Sequence, residues 1–276
     1  MTIGEALKKE QEELGLTETE MVENIITTSA YSRIVNNQRR ISSDLLLEIL
    51  LMHDINLENF LFKIKDTYSC EKIRLEQNLS QKMTVAINTH NKNEVKVCYK
   101  QIIKSNVSSN LKLRAEIAMA YINDSINELD ESFKKVVINN LTETENWFFN
   151  INTLSLFSTA IIILPKDFVE MMMNSFFQKV QRLDAISDSM NERFADICNN
   201  YLHWRYKNNK RFNKENNVEN AIEFLDNLKN SPRFIIYRIS ARYYSALFSN
   251  KLNKAKKIKD ELLDIKRILA AKNWPG

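Results

Sequence analysis

Glycine is almost missing from this 276-residue chain: Gly4, Gly15 and Gly276 are the only three, and residues 16 to 275 contain none. Proline is as scarce, at Pro165, Pro232 and Pro275. Strand-rich folds need residues with positive φ at hairpins and bulges, so the shortage argues for helices whose turns are closed by asparagine. It also leaves no glycine-rich phosphate loop. The three cysteines, Cys70, Cys98 and Cys198, lie far apart with no CxxC pair, which reads as free buried thiols in a reducing compartment rather than a metal site. His53, His90 and His203 are equally scattered, and nothing in the sequence groups a nucleophile, a base or a metal set. An enzyme is therefore not expected, nor is a metal or other cofactor. No apolar run approaches a bilayer span, since Ile161-Ile162-Ile163-Leu164 stops at Pro165. Glu5 and Glu10 among the first ten residues do not fit a signal peptide, so a cytoplasmic location is expected.

What the chain does have is a globular balance, 44% hydrophobic and 27% charged, in long segments of helical period. An all-α fold in two domains is expected: residues 1–66, then 67–276. The first reads as five short helices. Ile3, Ala6, Leu7 and Leu14 give helix one an inward side, and Gly15 suits the left-handed position that ends it. Thr17 with Glu20 forms a capping box for helix two, and Thr27 or Thr28 caps helix three. Ser43-Asp44 opens a leucine-rich fourth (Leu45 to Leu47, Ile49 to Leu51). Leu57, Phe60, Leu61 and Ile64 at i, i+3, i+4, i+7 mark a fifth.

The third helix has a distinctive outward side. Tyr31, Ile34 and Val35 are spaced to face inward, which leaves Ser29, Ser32, Arg33 and Asn36 on one stripe. Short donors and one arginine suit a DNA major groove: hydroxyls and amides reach base edges without bulk, and arginine binds guanine bidentately. Thr27 and Thr28 stand at the helix N-terminus, where a phosphate is favoured, and Gln38, Arg39 and Arg40 follow where the duplex backbone runs. Lys8 and Lys9 join them in a candidate DNA patch. Over residues 1–66 the balance is nevertheless seven bases against twelve acids, −5, with 32 against 23 in the remainder, +9. A monomer of such a domain should bind DNA weakly, and pairing of two heads is needed.

From residue 67 the segments lengthen, roughly 68–89, 92–106, 109–127, 129–139, 142–160, 165–183, 188–208, 215–229, 232–249 and 252–272. Pro165 and Ser231-Pro232 are placed to start helices. Val218, Ala221, Ile222, Leu225 and Leu228 give one late helix its inward side; Ala255, Ile258, Leu262, Ile265 and Leu269 do so for the last. Helix pairs joined by short turns suggest a tetratricopeptide-like repeat. Met171 to Met173 with Phe176-Phe177 reads as core rather than pocket.

The sequence resembles the Rgg/GadR/MutR transcriptional regulators of low-GC Gram-positive bacteria. Ser29-x-x-Ser32-Arg33-Ile34 looks like that family's SxxSRxE, Ile41-Ser42-Ser43-x-Leu45 like its ISxxxL, and Ile55-Asn56-Leu57-Glu58-x-Phe60 like its ItldEF. Glu145-Asn146-Trp147-Phe148 is similar to an acidic-tryptophan step early in the family's second domain. The chain departs from the pattern at Val22 for alanine, Val35 for glutamate and Asn37 for glycine, and Ser43 stands where some members carry a protomer-bridging cysteine. The resemblance implies a lambda-repressor-like helix-turn-helix, a tetratricopeptide-like domain that binds a short peptide pheromone, and a homodimer. It thus implies a quorum-sensing regulator whose partners are double-stranded DNA and a signalling peptide, with RNA polymerase as a further candidate and no membrane.

On such a repeat domain, asparagines suit a peptide's backbone and arginine its terminal carboxylate. The candidates are Asn150, Asn152, Asn199, Asn200, Arg205, Tyr237 and Arg238. The alternative function is a helical-repeat protein-interaction adaptor with a degenerate helix-turn-helix, which the acidic head and Val35 support.

Overall fold

The structure, a computed structural model, describes residues 1–143, 146–208 and 216–270, with backbone alone at 216 and 265–270. Among these residues there is no strand. The helices are α1 (Ile3–Leu14), α2 (Glu18–Val22), α3 (Thr28–Val35), α4 (Ser43–Met52), α5 (Leu57–Tyr68), α6 (Glu71–Asn88), α7 (Lys92–Lys104) and α8 (Ser109–Ile122). They continue as α9 (Glu131–Thr142), α10 (Ile151–Ala160), α11 (Lys166–Val180), α12 (Asp188–Asn208), α13 (Asn216–Asp226), α14 (Ile235–Phe248) and α15 (Leu252–Ala270). The all-α architecture expected from the sequence is what forms.

The glycine shortage is met at the helix ends. Asn37, Asp54, His90, Asp124 and Asn250 all adopt the left-handed conformation, with φ between 51° and 59°. Beyond each, an N–H reaches back to the carbonyl five residues earlier: Gln38 to Arg33 at 2.8 Å, Ile55 to Leu50 at 2.9 Å, Asn91 to Ala86 at 2.9 Å, and Ser125 to Ala120 and Lys251 to Ala246 at 2.8 Å. These are Schellman closures built without glycine, on short polar side chains and one imidazole that tolerate positive φ. Gly15 closes α1 in the same way at φ 69°.

The chain divides into two compact units, Met1–Asn78 and Leu79–Gly276. The boundary expected after residue 66 falls inside α5, whose last turn is tied to the N-terminus: the Met1 ammonium donates to Thr67 Oγ1 at 2.9 Å and the Ile3 N–H to the Tyr68 hydroxyl at 3.2 Å.

Unit one closes around Ala6, Leu7, Met21, Val22, Tyr31, Ile34, Val35, Ile49, Leu50, Phe60 and Ile64. Leu14, Leu47, Leu51 and Leu61, expected to face inward, are 46%, 44%, 63% and 60% exposed. On α1 the inward place beyond Leu7 goes to Glu10, 8% exposed, because Lys63 of α5 meets its carboxylate at 2.9 Å and that of Glu13 at 2.8 Å. An apolar stripe read by period alone does not foresee a paired acid inside.

In unit two, α8, α10, α12 and α14 stand side by side, and α9, α11, α13 and α15 pack on their apolar side. Met172, Met173, Phe176 and Phe177 are core, as expected, while Met171 is exposed. The helix expected over 142–160 is instead the end of α9, a 3-10 turn at Trp147–Phe149, and α10. Trp147 and Phe148 turn inward and meet edge to face at 5.9 Å, joining Phe157, Phe176 and Phe194. Asn150 then caps α10 by accepting from the Asn152 and Thr153 N–H groups at 3.0 and 3.1 Å. Pro165 precedes α11 directly, but Pro232 lies in a turn and α14 starts only at Ile235. Val218, Ala221, Leu225, Leu228 and Ala255 are buried, as their spacing requires. Glu145, residues 271–272 and the side chains of Ile265 and Leu269 lie outside the described residues.

Candidate DNA and ligand interfaces

The helix-turn-helix is α2, a turn through Glu23 (φ 40°) and α3. Thr17 and Glu20 form the expected capping box: the Thr17 N–H donates to Glu20 Oε2 at 2.8 Å and the Glu20 N–H to Thr17 Oγ1 at 3.2 Å. Thr27, not Thr28, caps α3, accepting from the Ala30 N–H at 3.2 Å. The inward face of α3 is fixed by Tyr31, Ile34 and Val35, with the Tyr31 hydroxyl donating to the Leu7 carbonyl at 3.3 Å. Burial pushes that phenol far above its ordinary pKa, with the Glu18 charge adding to it, so it stays a neutral donor.

The far end of α3 is held as tightly. Asn37 accepts from the Thr2 hydroxyl at 2.7 Å, and a Cβ on Gly4 would stand 2.1 Å from the Ile34 carbonyl oxygen. Gly4 is there because α1 and α3 touch backbone to backbone. Val22 and Val35 are both buried, so at position 35 a methyl-bearing side chain completes the core.

These constraints leave one face of α3 outward. Ser29, Arg33 and Asn36 are exposed and Ser32 is half-buried; Thr27 is exposed and Thr28 half-buried, 3.5 Å from the Thr19 hydroxyl. The Asn36 amide donates back to the Ser32 carbonyl at 2.8 Å, which fixes the side chain along the helix. Gln38, Arg39 and Arg40 follow, all exposed, and Lys8 and Lys9 are exposed on α1, Lys9 3.8 Å from Glu13. Arg33, Arg39 and Arg40 have no carboxylate partner among the described residues.

Charge is partitioned rather than absent. No acidic residue occurs between Glu23 and Asp44, the stretch that holds α3 and its following turn. Of the acids elsewhere in the unit, Glu10 and Glu13 are paired with Lys63, and Glu5 and Glu20 are spent in capping boxes. The net −5 of the domain therefore does not describe the face that α3 presents.

In unit two, a polar ladder crosses the row of α8, α10, α12 and α14. Between α12 and α14 every rung spans 41 residues: Asp188 with Lys229 at 2.7 Å, Glu192 with Arg233 at 2.9 Å, Asp196 with the Tyr237 hydroxyl at 2.7 Å, and His203 Nδ1 with the Tyr244 hydroxyl at 3.3 Å. A constant offset means that the two helices run parallel and in register, the signature of a stacked repeat. Between α10 and α12, Arg193 donates to Ser155 at 3.4 Å and Asn200 to the Ser158 hydroxyl at 3.0 Å. Between α8 and α10, Arg114 donates to Thr159 at 3.4 Å and Asn110 to Thr153 at 3.5 Å.

Solvent reaches Asp196, yet the protein around it holds its carboxyl above the usual range against the opposing Tyr237 bond, as expected on a recessed face. His203 is held below its ordinary pKa, first by desolvation and then by Lys207.

The sequence candidates fall unevenly on this ladder. Asn200 and Tyr237 are rungs, and Asn152 is exposed at the start of α10. Asn150 is exposed, with its side-chain oxygen spent as a cap. Asn199 and Arg238 are half-buried, and the Asn199 Oδ1 and Arg238 Nε atoms have no hydrogen-bond partner. Arg205 is 4% exposed, its Nε 3.3 Å from Glu170, which also accepts from Tyr201 at 2.9 Å and Asn217 at 2.9 Å. That arginine joins α11, α12 and α13 inside the core and is not offered to a ligand.

Arg114, Ser155, Ser158, Thr159, Arg193, Asp196 and His203 were not singled out from sequence; the 41-residue pairing of acid or imidazole with base or tyrosine was the legible signal. A cleft of about 310 Å³ between α11 and α13, lined by Phe177, Val180, Asn220 and Phe224, contains none of the sequence candidates.

Among the described residues no group of His, Cys, Asp or Glu is placed to hold a metal ion. No described helix is long and apolar enough to cross a membrane. Cys98 and Cys198 are buried, but Cys70, expected to be buried too, is exposed at the start of α6.

No protein-family model matches the chain, and no curated protein matches it. Solved structures do. The SHP pheromone receptor Rgg2 of Streptococcus dysgalactiae superposes with a TM-score of 0.67 at 12% identity, covering 97% of this chain and 94% of that one. The PrgX/cCF10 complex gives 0.67 at 16% identity, covering 98% and 94%. PlcR of Bacillus thuringiensis, solved with the peptide PapR7 and DNA, gives 0.59 at 16% identity and covers 99% of each chain. At these identities the likeness is one of fold, and it runs through nearly the whole length: a helix-turn-helix unit followed by helical repeats.

Proposed function

We propose that the chain is a cytoplasmic, non-enzymatic, sequence-specific DNA-binding transcription regulator that works as a homodimer and is controlled by a short peptide bound across its helical repeats. The observation that carries the DNA half is the outward row of α3, Ser29, Ser32 and Arg33, on a helix held at both ends and in a stretch without acidic residues. That partition of charge favours DNA over the adaptor reading. The ladder on α8 to α14 supports the peptide half, because its amides, hydroxyls and guanidinium groups match a peptide's backbone and ends. Complexes of PlcR with PapR7 and DNA and of PrgX with cCF10, on the same fold, point the same way.

Two heads must meet half-sites about one helical turn apart. A modest rotation between repeat domains on peptide binding therefore switches occupancy without altering base contacts.

The test is fluorescence anisotropy on the DNA upstream of the chain's own gene. Arg33→Ala is expected to cost about 1–3 kcal/mol and to relax sequence preference, while Arg39→Ala lowers the salt slope by about one. Absence of salt-sensitive binding by the wild-type dimer would overturn the DNA reading.

A further inference from the structure

We infer that the ladder contains a carboxylate receptor, formed by Arg193 and Arg114 over the hydroxyls of Ser155 and Thr159, and that it takes the free C-terminus of the bound peptide. This rests on the peptide-binding reading above and adds to it which end of the peptide is gripped, and where.

Ser155 and Thr159 lie on adjacent turns of one face of α10, so their side chains are neighbours, about 5–6 Å apart at Cβ. Arg193 approaches from α12 on one side, donating through Nη1 to Ser155 at 3.4 Å. Arg114 approaches from α8 on the other, donating through Nε to Thr159 at 3.4 Å and through Nη1 to Ser80 of α6 at 3.3 Å. All three bonds are at the long end of the hydrogen-bond range and go to neutral hydroxyls. A carboxylate offers a guanidinium bonds of about 2.7–2.9 Å that are roughly twice as strong, so it displaces them. Each guanidinium has five donors in a fixed fork, and Arg193 uses one of them on Ser155. The hydroxyls then remain as further donors beneath the anion.

Charge around α12 selects this side of the helix for an anion. The acids of α12 turn the other way, towards α14, where Glu192 is paired with Arg233 and Asp196 accepts from Tyr237. A carboxylate at that seam would meet two like charges, whereas over α10 it meets two guanidinium groups. Arg205, the arginine the sequence suggested for this task, is committed to Glu170 in the core.

The experiment uses immobilised full-length protein and two synthetic octapeptide libraries of the same randomised composition, one with free C-terminal carboxylates and one C-terminally amidated, with retained peptides read by mass spectrometry. Retention of free acids over amides by about tenfold or more is expected, the size of a lost charge-assisted hydrogen bond. Arg193→Gln should bring that ratio to about one, and Arg193→Lys should keep part of it, with far-ultraviolet circular dichroism confirming that both variants fold. Equal retention of acids and amides by the wild type overturns the carboxylate receptor while the peptide reading stands. Retention of neither library overturns the peptide reading and the receptor with it.

Discussion

Gly4→Ala isolates the contact that fixes the DNA-facing helix. An added Cβ stands 2.1 Å from the Ile34 carbonyl oxygen, 3.0 Å from its carbon and 3.2 Å from Asn37 Oδ1, where ordinary contact begins near 3.4 Å, so α1 and α3 must part by about 1.3 Å. The obstacle is backbone and cannot rotate aside. Overpacking of this kind costs about 1–3 kcal/mol, against at most ~1 kcal/mol gained because alanine is the better helix former. A net loss of about 1–2 kcal/mol corresponds to a factor of about 5–30 in the opening equilibrium of unit one. Tryptophan fluorescence is blind to it, since Trp147, Trp204 and Trp274 all follow the unit, so the assay is amide hydrogen exchange on the full chain. Protection in α1 and α3 should fall by that factor while α12 stays as in the wild type. Gly15→Ala is the control: nothing lies within 4 Å of its Cβ, and only the positive φ opposes it, at about 1–2 kcal/mol. Gly15→Asn should cost less, because asparagine occupies the same conformation at Asn37 and Asn250. Unchanged protection in α3 of Gly4→Ala would refute the claim that backbone contact with α1 positions this helix.

Other outcomes follow from the second unit. Arg205→Ala removes one partner of a core ion pair and leaves Glu170 with only Tyr201 and Asn217; a loss of about 3 kcal/mol is expected, the low end for such a break. Thermal melting followed through the adjacent Trp204 reads it, and Arg205→Met with Glu170→Leu should recover most of the loss. His203, held below its ordinary value by desolvation, takes up its proton in the unfolded chain before the folded one, so stability is lost as pH falls from about 6.5 through the folded pKa. His203→Gln should flatten that part of the stability profile in denaturant titrations, and an unaltered profile would place the acid sensitivity elsewhere.

The sequence made the local signals legible. Capping boxes, the inward triad of α3 and the left-handed Gly15 depend on residues close together in the chain, and all three are in the structure. The misses share a cause. Leu14 and Leu61 gave way to a Glu10–Lys63 pair formed across 53 residues, and Arg205 went inward because Glu170, far away in sequence, was there to receive it. Helical period shows which face is apolar but not which charged side chain finds a partner inside it. The break at Trp147–Phe149 was hidden because the aromatics that pull the turn inward are the residues that read as a continuing helix.

Closing helices with asparagine, aspartate and histidine instead of glycine leaves thermal margin unclaimed. Each such residue resists its left-handed backbone where glycine would not, so exchange to glycine at Asp54, His90, Asp124 or Asn250 relieves the folded state while loosening the unfolded one, and the sum decides. Asn37 stands apart, because its side chain ties α3 to Thr2. A glycine there, the residue the related sequences favour, would free the reading head from its anchor.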